Sequence, residues 1–536
     1  MPRPDAETRK ARAAAPLAER LTAIAADAGI TPEFPAAVTA EVEGWLASPG
    51  IDDPALVDRT AIPFVTIDGP GTRDLDQAVH VEASADGFHL RYAIADASYY
   101  VAPGSALFDE AVRRGASFYI PGRSIPMLPA ALSQGLVSLG PGVDRRALIF
   151  DVTFDRAGTV TSFHLERARI HSRAQLTFDG VQAVVDGAPS TDDYAASLRA
   201  IAALGALRLH HPDRAAMVRY RRVETSVRLG PDGGLVTDSG ERSAIELANE
   251  QISILCNALG ARYLLEGASP EAGGLVQPIY RVHEPPTEER VAGYERLVSA
   301  VAAQRGLPDD PWLYRRAAAL GLAGYLEALP TTGPLGRVSR ALHRQAMLLN
   351  GRSRFDAAPT PHFGVGEQVY SRFTAPMREI VGVQCHAQAI DRLLGQSART
   401  AADDLAIRAR VIEAGNRSKD LQRTLDREVD AAVVAAVFAD DGTRAPEDRA
   451  RRTATVVGIT SGKIHLVLDQ PPIDVRALMI DQGAHAGGAW LVVADEGATL
   501  RRDKVDGPDG IVCRLGDGVI VRAIGPDAVV ILEVLP

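Results

Sequence analysis

The stretch FVTIDGPGTRDLDQAV, residues 64–79, constrains this chain more than any other. It sets Asp68, Asp74 and Asp76 around a Gly-Pro-Gly turn. The β-branched and apolar residues on either side read as two strands, so the chain reverses here. On a strand, Asp74 and Asp76 face the same side, being two residues apart. Asp68 ends the preceding strand, and Gly69 and Gly71 let the backbone fold back toward it. Three carboxylates converging on one point repel unless a cation joins them. Hard oxygen ligands of this kind favour Mg²⁺, Mn²⁺ or Ca²⁺. Spacing alone leaves a solvated acidic turn open as the alternative. The ligand ladder and closing glutamate of an EF-hand are absent.

Composition narrows the class. At 536 residues the chain has room for roughly two to four domains. No run of about 18 apolar residues exists, so no membrane span is expected. The first residues lack the apolar core of a signal peptide. Cytoplasmic residence is the expectation. Cys256, Cys385 and Cys513 lie far apart, in keeping with a reducing compartment and with no metal-ligand spacing. The net charge of −10 argues against a nonspecific nucleic-acid binder with a basic footprint. An acidic exterior can nonetheless enclose a basic channel.

Residues 6–47 carry helical periodicity. Leu17, Leu21 and Ile24 mark one helix, and Phe34, Val38, Val42 and Trp45 a second. The pair has the length of a helix-turn-helix unit and equally of a plain helical module. From residue 61 the pattern turns to strands, with a hairpin around Asp155–Gly158. Residues 176–350 read as mostly helical. AIELANEQISILCNALGARYLLE is a long buried helix, and the segment from 403 to 438 is another. Strands return near 450, and their number and spacing suit a small barrel of the OB class. The stretch 439–452 reads as a linker. The expected architecture is α+β: a helical module over 1–60, a large mixed domain with twisted sheets and long helices over 61–440, and an OB-fold barrel over 450–536.

Three stretches together carry a resemblance: TIDGPGTRDLDQAV, the segment containing SFYIPGRSIPMLPAALSQGLVSL, and PHFGVGEQVYSRFTAPMRE. In this order they resemble the motifs of the ribonuclease II family over about residues 61–395. The resemblance implies a metal-dependent 3′→5′ hydrolytic exoribonuclease that degrades single-stranded RNA to nucleoside 5′-monophosphates, with Mg²⁺ as cofactor and Mn²⁺ as a substitute. It implies a monomer whose C-terminal OB barrel guides the RNA. The cold-shock barrels that often precede the family's catalytic domain have no counterpart in the residues before 61.

By the same resemblance, Asp68 and Asp74 match metal-binding aspartates. Asp76 matches the aspartate indispensable for cleavage. Arg378 matches the catalytic arginine that offsets charge on the phosphate. Tyr119 matches the tyrosine stacking on the terminal base. Glu250 falls in a helix motif where an acidic residue contacts ribose, and Gln251 replaces a second glutamate. Arg372 stands where many members have histidine or threonine, and it joins the expected RNA contacts. Gln77 replaces a fourth aspartate; an amide oxygen still ligates, but without charge. Glu379 and Gly382 replace a basic residue and an aspartate. The competing expectation is an RNA-binding protein of the same fold with reduced or lost catalysis, because of Gln77.

Overall fold

The strand pattern after residue 61 closes on itself. The computed structural model describes residues 16–214, 217–220, 224–230, 235–240, 242–268, 275–316, 321–397, 399–445, 448–485, 490–505, 507–523 and 530–533. In it, β1 (Phe64–Asp68), β2 (Gln77–Ser84), β3 (Gly87–Ala95), β4 (Asp144–Asp155) and β5 (Val160–Thr177) pair in the order β5–β1–β2–β3–β4, and β4 pairs back onto β5. The β5–β1 pairing is parallel, with Asp68 opposite Thr177; the others are antiparallel. β5 is long enough to serve both neighbours, which lets five strands form a ring. Phe64, Leu90, Ile94, Leu148 and Phe150 are completely buried in it. At the β4–β5 hairpin, Gly158 adopts a φ of +81°, where a side chain is disfavoured. The Asp155 carboxylate accepts from the Ala157 and Thr159 N–H groups there, an Asx-type closure.

Helices cover this ring. α1 (Leu17–Asp27) and α2 (Ala36–Ala47) form where the periodicity places them; the earlier part of the 6–47 segment lies outside the described residues. They dock on different elements. Leu17, Leu21 and Ala25 of α1 pack with Leu425 and Ala432 of the long helix described below. α2 supplies Glu41, whose two oxygens accept from the Ala106 and Leu107 N–H groups at 2.8 Å, at the start of α3 (Ala106–Arg114). A carboxylate suits that end of a helix. Both faces are therefore committed to the rest of the chain.

α4 (Ala244–Gly267) begins with a capping box between Ser243 and Glu246, which satisfies N–H groups otherwise orphaned. The stretch 176–350 is mostly helical as expected, with short strands set among the helices. β6 (Glu224–Leu229) and β7 (Leu235–Gly240) form an antiparallel hairpin, and β8 (Tyr280–Val282) pairs with β9 (Arg354–Asp356). The Thr-Ser-Val-Arg-Leu run before a Pro-Asp-Gly-Gly cluster is strand-and-turn chemistry. Residues 231–234 themselves lie outside the described residues. Among the helices between β8 and β9 is α5 (Gly333–Met347), and α6 (Ile380–Leu394) and α7 (Ala401–Val437) follow.

Strands return near 450 as expected, arranged in two sheets. β10 (Arg452–Ile459), β11 (Lys463–Leu468), β12 (Asp474–Leu478), β16 (Gly518–Ala523) and β17 (Val530–Glu533) pair as β12–β11–β10–β16–β17. β13 (Leu491–Ala494), β14 (Thr499–Arg502) and β15 (Ile511–Arg514) form a second sheet. Val456, Leu466, Val475 and Val521 form their core. This unit is fastened to α5 by Arg337–Asp469 (2.8 Å) and Arg344–Asp474 (3.1 Å). The segment read as a linker is anchored too: the Arg452 guanidinium donates to the Asp441 carboxylate and to the Val437 carbonyl. No helix among the described residues is long and apolar enough to cross a membrane. All three cysteines are buried and free.

Candidate active site

The three motifs meet in space through their backbones. Residues 72–76 run as a loop, and β2 begins only at Gln77. This corrects the expectation that Asp74 and Asp76 sit on a strand. The reason is Ser138, from the second motif. Its hydroxyl donates to the Arg73 carbonyl at 2.7 Å and accepts from the Leu75 N–H at 3.1 Å. Backbone groups that a ladder would use are thereby taken. The third motif is tied in by Ser117, whose N–H donates to the Arg378 carbonyl at 2.9 Å. The Ser117 hydroxyl in turn accepts from the Met127 N–H of IPMLP.

Asp76 is 1% exposed. One carboxylate oxygen accepts from the Met377 N–H at 2.9 Å and the other from Arg378 Nε at 2.5 Å. Burial pushes the Asp76 carboxyl upward, while the Arg378 charge and the Met377 N–H pull it back. The same carboxylate holds the Arg378 guanidinium firmly charged. The terminal nitrogens of Arg378 make no hydrogen bond among the described residues, and Arg378 lines a cleft of about 370 Å³. Asp68, Gln77, Glu246, Asn249, Glu250 and Arg372 share that lining.

The expected convergence of three aspartates is corrected in turn. Among the described residues, no three His, Cys, Asp or Glu side chains gather closely enough to hold a metal ion by themselves. Asp76 is turned to Arg378. Asp68 uses one oxygen to accept from the Gly69 N–H and the Thr72 hydroxyl, which leaves its Oδ2 open. Among the described residues Asp74 is met only by the Tyr119 hydroxyl, at 3.3 Å on Oδ2. Asp68 lines the cleft with one oxygen open and Asp74 keeps its Oδ1 unbonded among the described residues, so each offers a hard donor of the kind a divalent cation takes. Mg²⁺ is normally held by one or two carboxylates plus substrate phosphate and water, not by an all-protein cage. Asp68 and Asp74 are the residues that would hold it.

Gln77 has other partners: its oxygen accepts from the Tyr92 hydroxyl and its NH₂ donates to the Thr374 carbonyl. Tyr119 is exposed at the edge of the site. Glu250 lines the cleft and pairs with Arg242 at 3.1 Å. Its neighbour Gln251 is buried and accepts from Arg214 instead, so the position where a second glutamate was expected points away. Glu246, one helical turn before Glu250, takes up the cleft side; its role as a capping residue gave no signal of this.

Arg372 and Glu379 explain each other. Arg372 Nε donates to Glu379 at 2.9 Å, and both are largely buried, so two departures from the family pattern form one ion pair. The expected RNA contact by Arg372 is thus limited to what its cleft-lining part can reach. Gly382 is explained by packing. A Cβ there would lie 2.8 Å from Pro376 Cα and 3.2 Å from the Arg372 carbonyl oxygen. Backbone atoms cannot yield cheaply, so Gly382→Asp is expected to cost about 1–3 kcal/mol; urea denaturation with an unchanged m-value would show it.

The chain belongs to the RNB domain family, whose model matches residues 57–392. It is 32% identical over 369 residues to Ribonuclease R of Vibrio cholerae, covering 66% of this chain and 42% of that protein. It is 30% identical over 474 residues to Exoribonuclease 2 of Edwardsiella piscicida, covering 87% of this chain and 67% of that protein. The chain spans less than half the length of the Ribonuclease R relative. Its fold is that of Mycoplasma genitalium RNase R, solved in complex with ribose-methylated single-stranded RNA, at a TM-score of 0.83 and 18% identity over 97% of this chain and 78% of that one. Yeast Ssd1, a pseudonuclease, shares the fold at a TM-score of 0.64 and 14% identity, over 87% of this chain and 55% of that one.

Proposed function

We propose that the chain is a divalent-metal-dependent exoribonuclease that removes nucleoside 5′-monophosphates from the 3′ end of single-stranded RNA. The observation that carries this is the Asp76–Arg378 pair at a cleft lined by Asp68. Asp76 grips Arg378 through Nε, which fixes the guanidinium plane and leaves its two terminal nitrogens for phosphate oxygens. In a dry site such a preorganised donor stabilises developing charge strongly. A divalent cation held by Asp68 and Asp74 would polarise the phosphate and activate water. Asn249 and Glu250 border the cleft from α4, where they suit ribose hydroxyls. Exposed Tyr119, with its hydroxyl on Asp74, offers a ring face for the terminal base. The chain acts as a monomer in the cytoplasm in this reading, and the C-terminal barrel guides the strand.

Incubation with 5′-labelled and 3′-labelled single-stranded RNA and Mg²⁺ tests the proposal. The 3′ label is expected to leave at once as mononucleotide, the 5′ label to shorten in single steps, and both to stop with EDTA. Internal fragments, or no monophosphate, would refute it. The second reading, an RNA-binding protein with reduced or lost catalysis, rests on Gln77, which supplies no charge to the cleft. Tight RNA binding without monophosphate release would favour it.

A further inference from the structure

We propose that Gln77 is a positioning residue that locks the Arg378 loop in place and stands outside the metal's ligand set. The inference rests on the exoribonuclease reading for its kinetic consequence only. The Gln77 amide donates to the Thr374 carbonyl, and its oxygen accepts from the Tyr92 hydroxyl. A carbonyl can only accept, so the NH₂ must face Thr374, and the amide orientation is unambiguous. Tyr92 is 1% exposed on β3, which makes it a rigid anchor. Gln77 therefore bridges the β2–β3 ring to the loop of the third motif.

Thr374 is the point that has to be held. Its N–H donates to Asn257 Oδ1, and its hydroxyl accepts from Asn257 Nδ2 and from Ser253. Gln77 takes the one remaining polar atom, the carbonyl. Four residues later comes Arg378, after a tight turn closed by the Arg378 N–H on the Ala375 carbonyl at 3.1 Å. Any slip of Thr374 passes through that turn to Met377 N and Arg378, the two groups that meet Asp76. A carboxylate at position 77 would set an oxygen against the Thr374 oxygen, and an aspartate would be one methylene shorter as well. The chain holds a clamp where the family pattern has a fourth acid.

The test uses the full chain with Gln77→Met, which keeps the size but removes both hydrogen bonds, and with Tyr92→Phe, which removes only the anchoring hydroxyl. Three readouts are taken: Mn²⁺ affinity by electron paramagnetic resonance without RNA, amide hydrogen exchange over residues 373–378, and steady-state RNA hydrolysis. Mn²⁺ affinity is expected to stay within about twofold, since no ligand is lost. Exchange over 373–378 is expected to speed up about tenfold as the loop opens locally. The kcat is expected to fall about tenfold to a hundredfold with KM nearly unchanged, as for a misplaced catalytic group. A Mn²⁺ affinity at least tenfold weaker in Gln77→Met would make Gln77 a ligand and overturn the proposal. Unchanged exchange in both variants would overturn it as well. The exchange and Mn²⁺ measurements are decisive even if the wild-type chain proves unable to hydrolyse RNA, so failure of the activity and failure of the clamp are told apart.

Discussion

Arg378→Ala is expected to lower kcat by about a hundredfold to a thousandfold, the usual loss when a preorganised charge donor is removed. It is also expected to destabilise the fold by about 3–5 kcal/mol at neutral pH, because it strands a buried carboxylate. Asp76 has no exposure to water that could replace the guanidinium. The stability loss should depend on pH. With the Arg378 contribution gone, burial and the Asp74 charge raise the folded-state pKa of Asp76, opposed only by the Met377 N–H. A carboxyl raised in the folded state contributes its full share only below the unfolded pKa, about 4. That share is lost as pH rises through the folded value. The defect of Arg378→Ala should therefore be smaller at acid pH than at pH 8, as read by denaturant titration. Asp76→Asn should lose activity as well, since the Arg378 side chain loses its orienting partner. The double variant should cost less than the sum of the singles, because the two side chains act as one unit.

Asn257→Ala is expected to destabilise the chain by about 2–4 kcal/mol, more than most single substitutions. Asn257 is completely buried. Its oxygen accepts from the Phe373 N–H at 2.6 Å and the Thr374 N–H at 3.2 Å, and its NH₂ donates to the Tyr370 and Thr374 hydroxyls. Truncation leaves two backbone donors in a dry environment with no partner, which is the costly case. The urea midpoint should fall with little change in m-value. Because the same loop ends at Arg378, the surviving folded protein should also show reduced kcat.

The parts of the fold legible in the sequence were those with long, local periodicity. α4 spans Ala244–Gly267 and α7 spans Ala401–Val437, close to where the apolar spacing puts them. The β4–β5 hairpin turns at Asp155–Gly158, where Asp and Gly serve the turn. The β6–β7 hairpin was hidden because it is short and lies among helices. Asp74 and Asp76 looked like strand residues because a period-two pattern says nothing of Ser138, 62 residues after Asp76 in the chain, which captures the backbone. Of the residues the motif resemblance singles out, Asp68, Glu250 and Arg378 line one cleft, while Asp74 and Tyr119 meet each other. The resemblance gave no sign of Asn257 or Ser253, since a lone buried Asn or Ser has no periodic signature. The Arg372–Glu379 pair spans a non-helical loop, so no spacing rule foretold it. Gln77 read as a weakened ligand; its geometry shows a hydrogen-bonded link between sheet and loop.

The central claim is that this cleft seats the 3′ end of RNA with a cation between Asp68 and Asp74. The most direct test is a crystal structure of the wild-type chain with a short single-stranded RNA bearing a non-hydrolysable terminal linkage, grown with Mn²⁺ and read by anomalous scattering. A manganese peak is expected within about 2–2.6 Å of a carboxylate oxygen of Asp68 or Asp74. The terminal phosphate is expected on Arg378, with Gln77 still on Thr374. A manganese peak on Gln77, or RNA whose 3′ end lies away from Arg378, would contradict the claim.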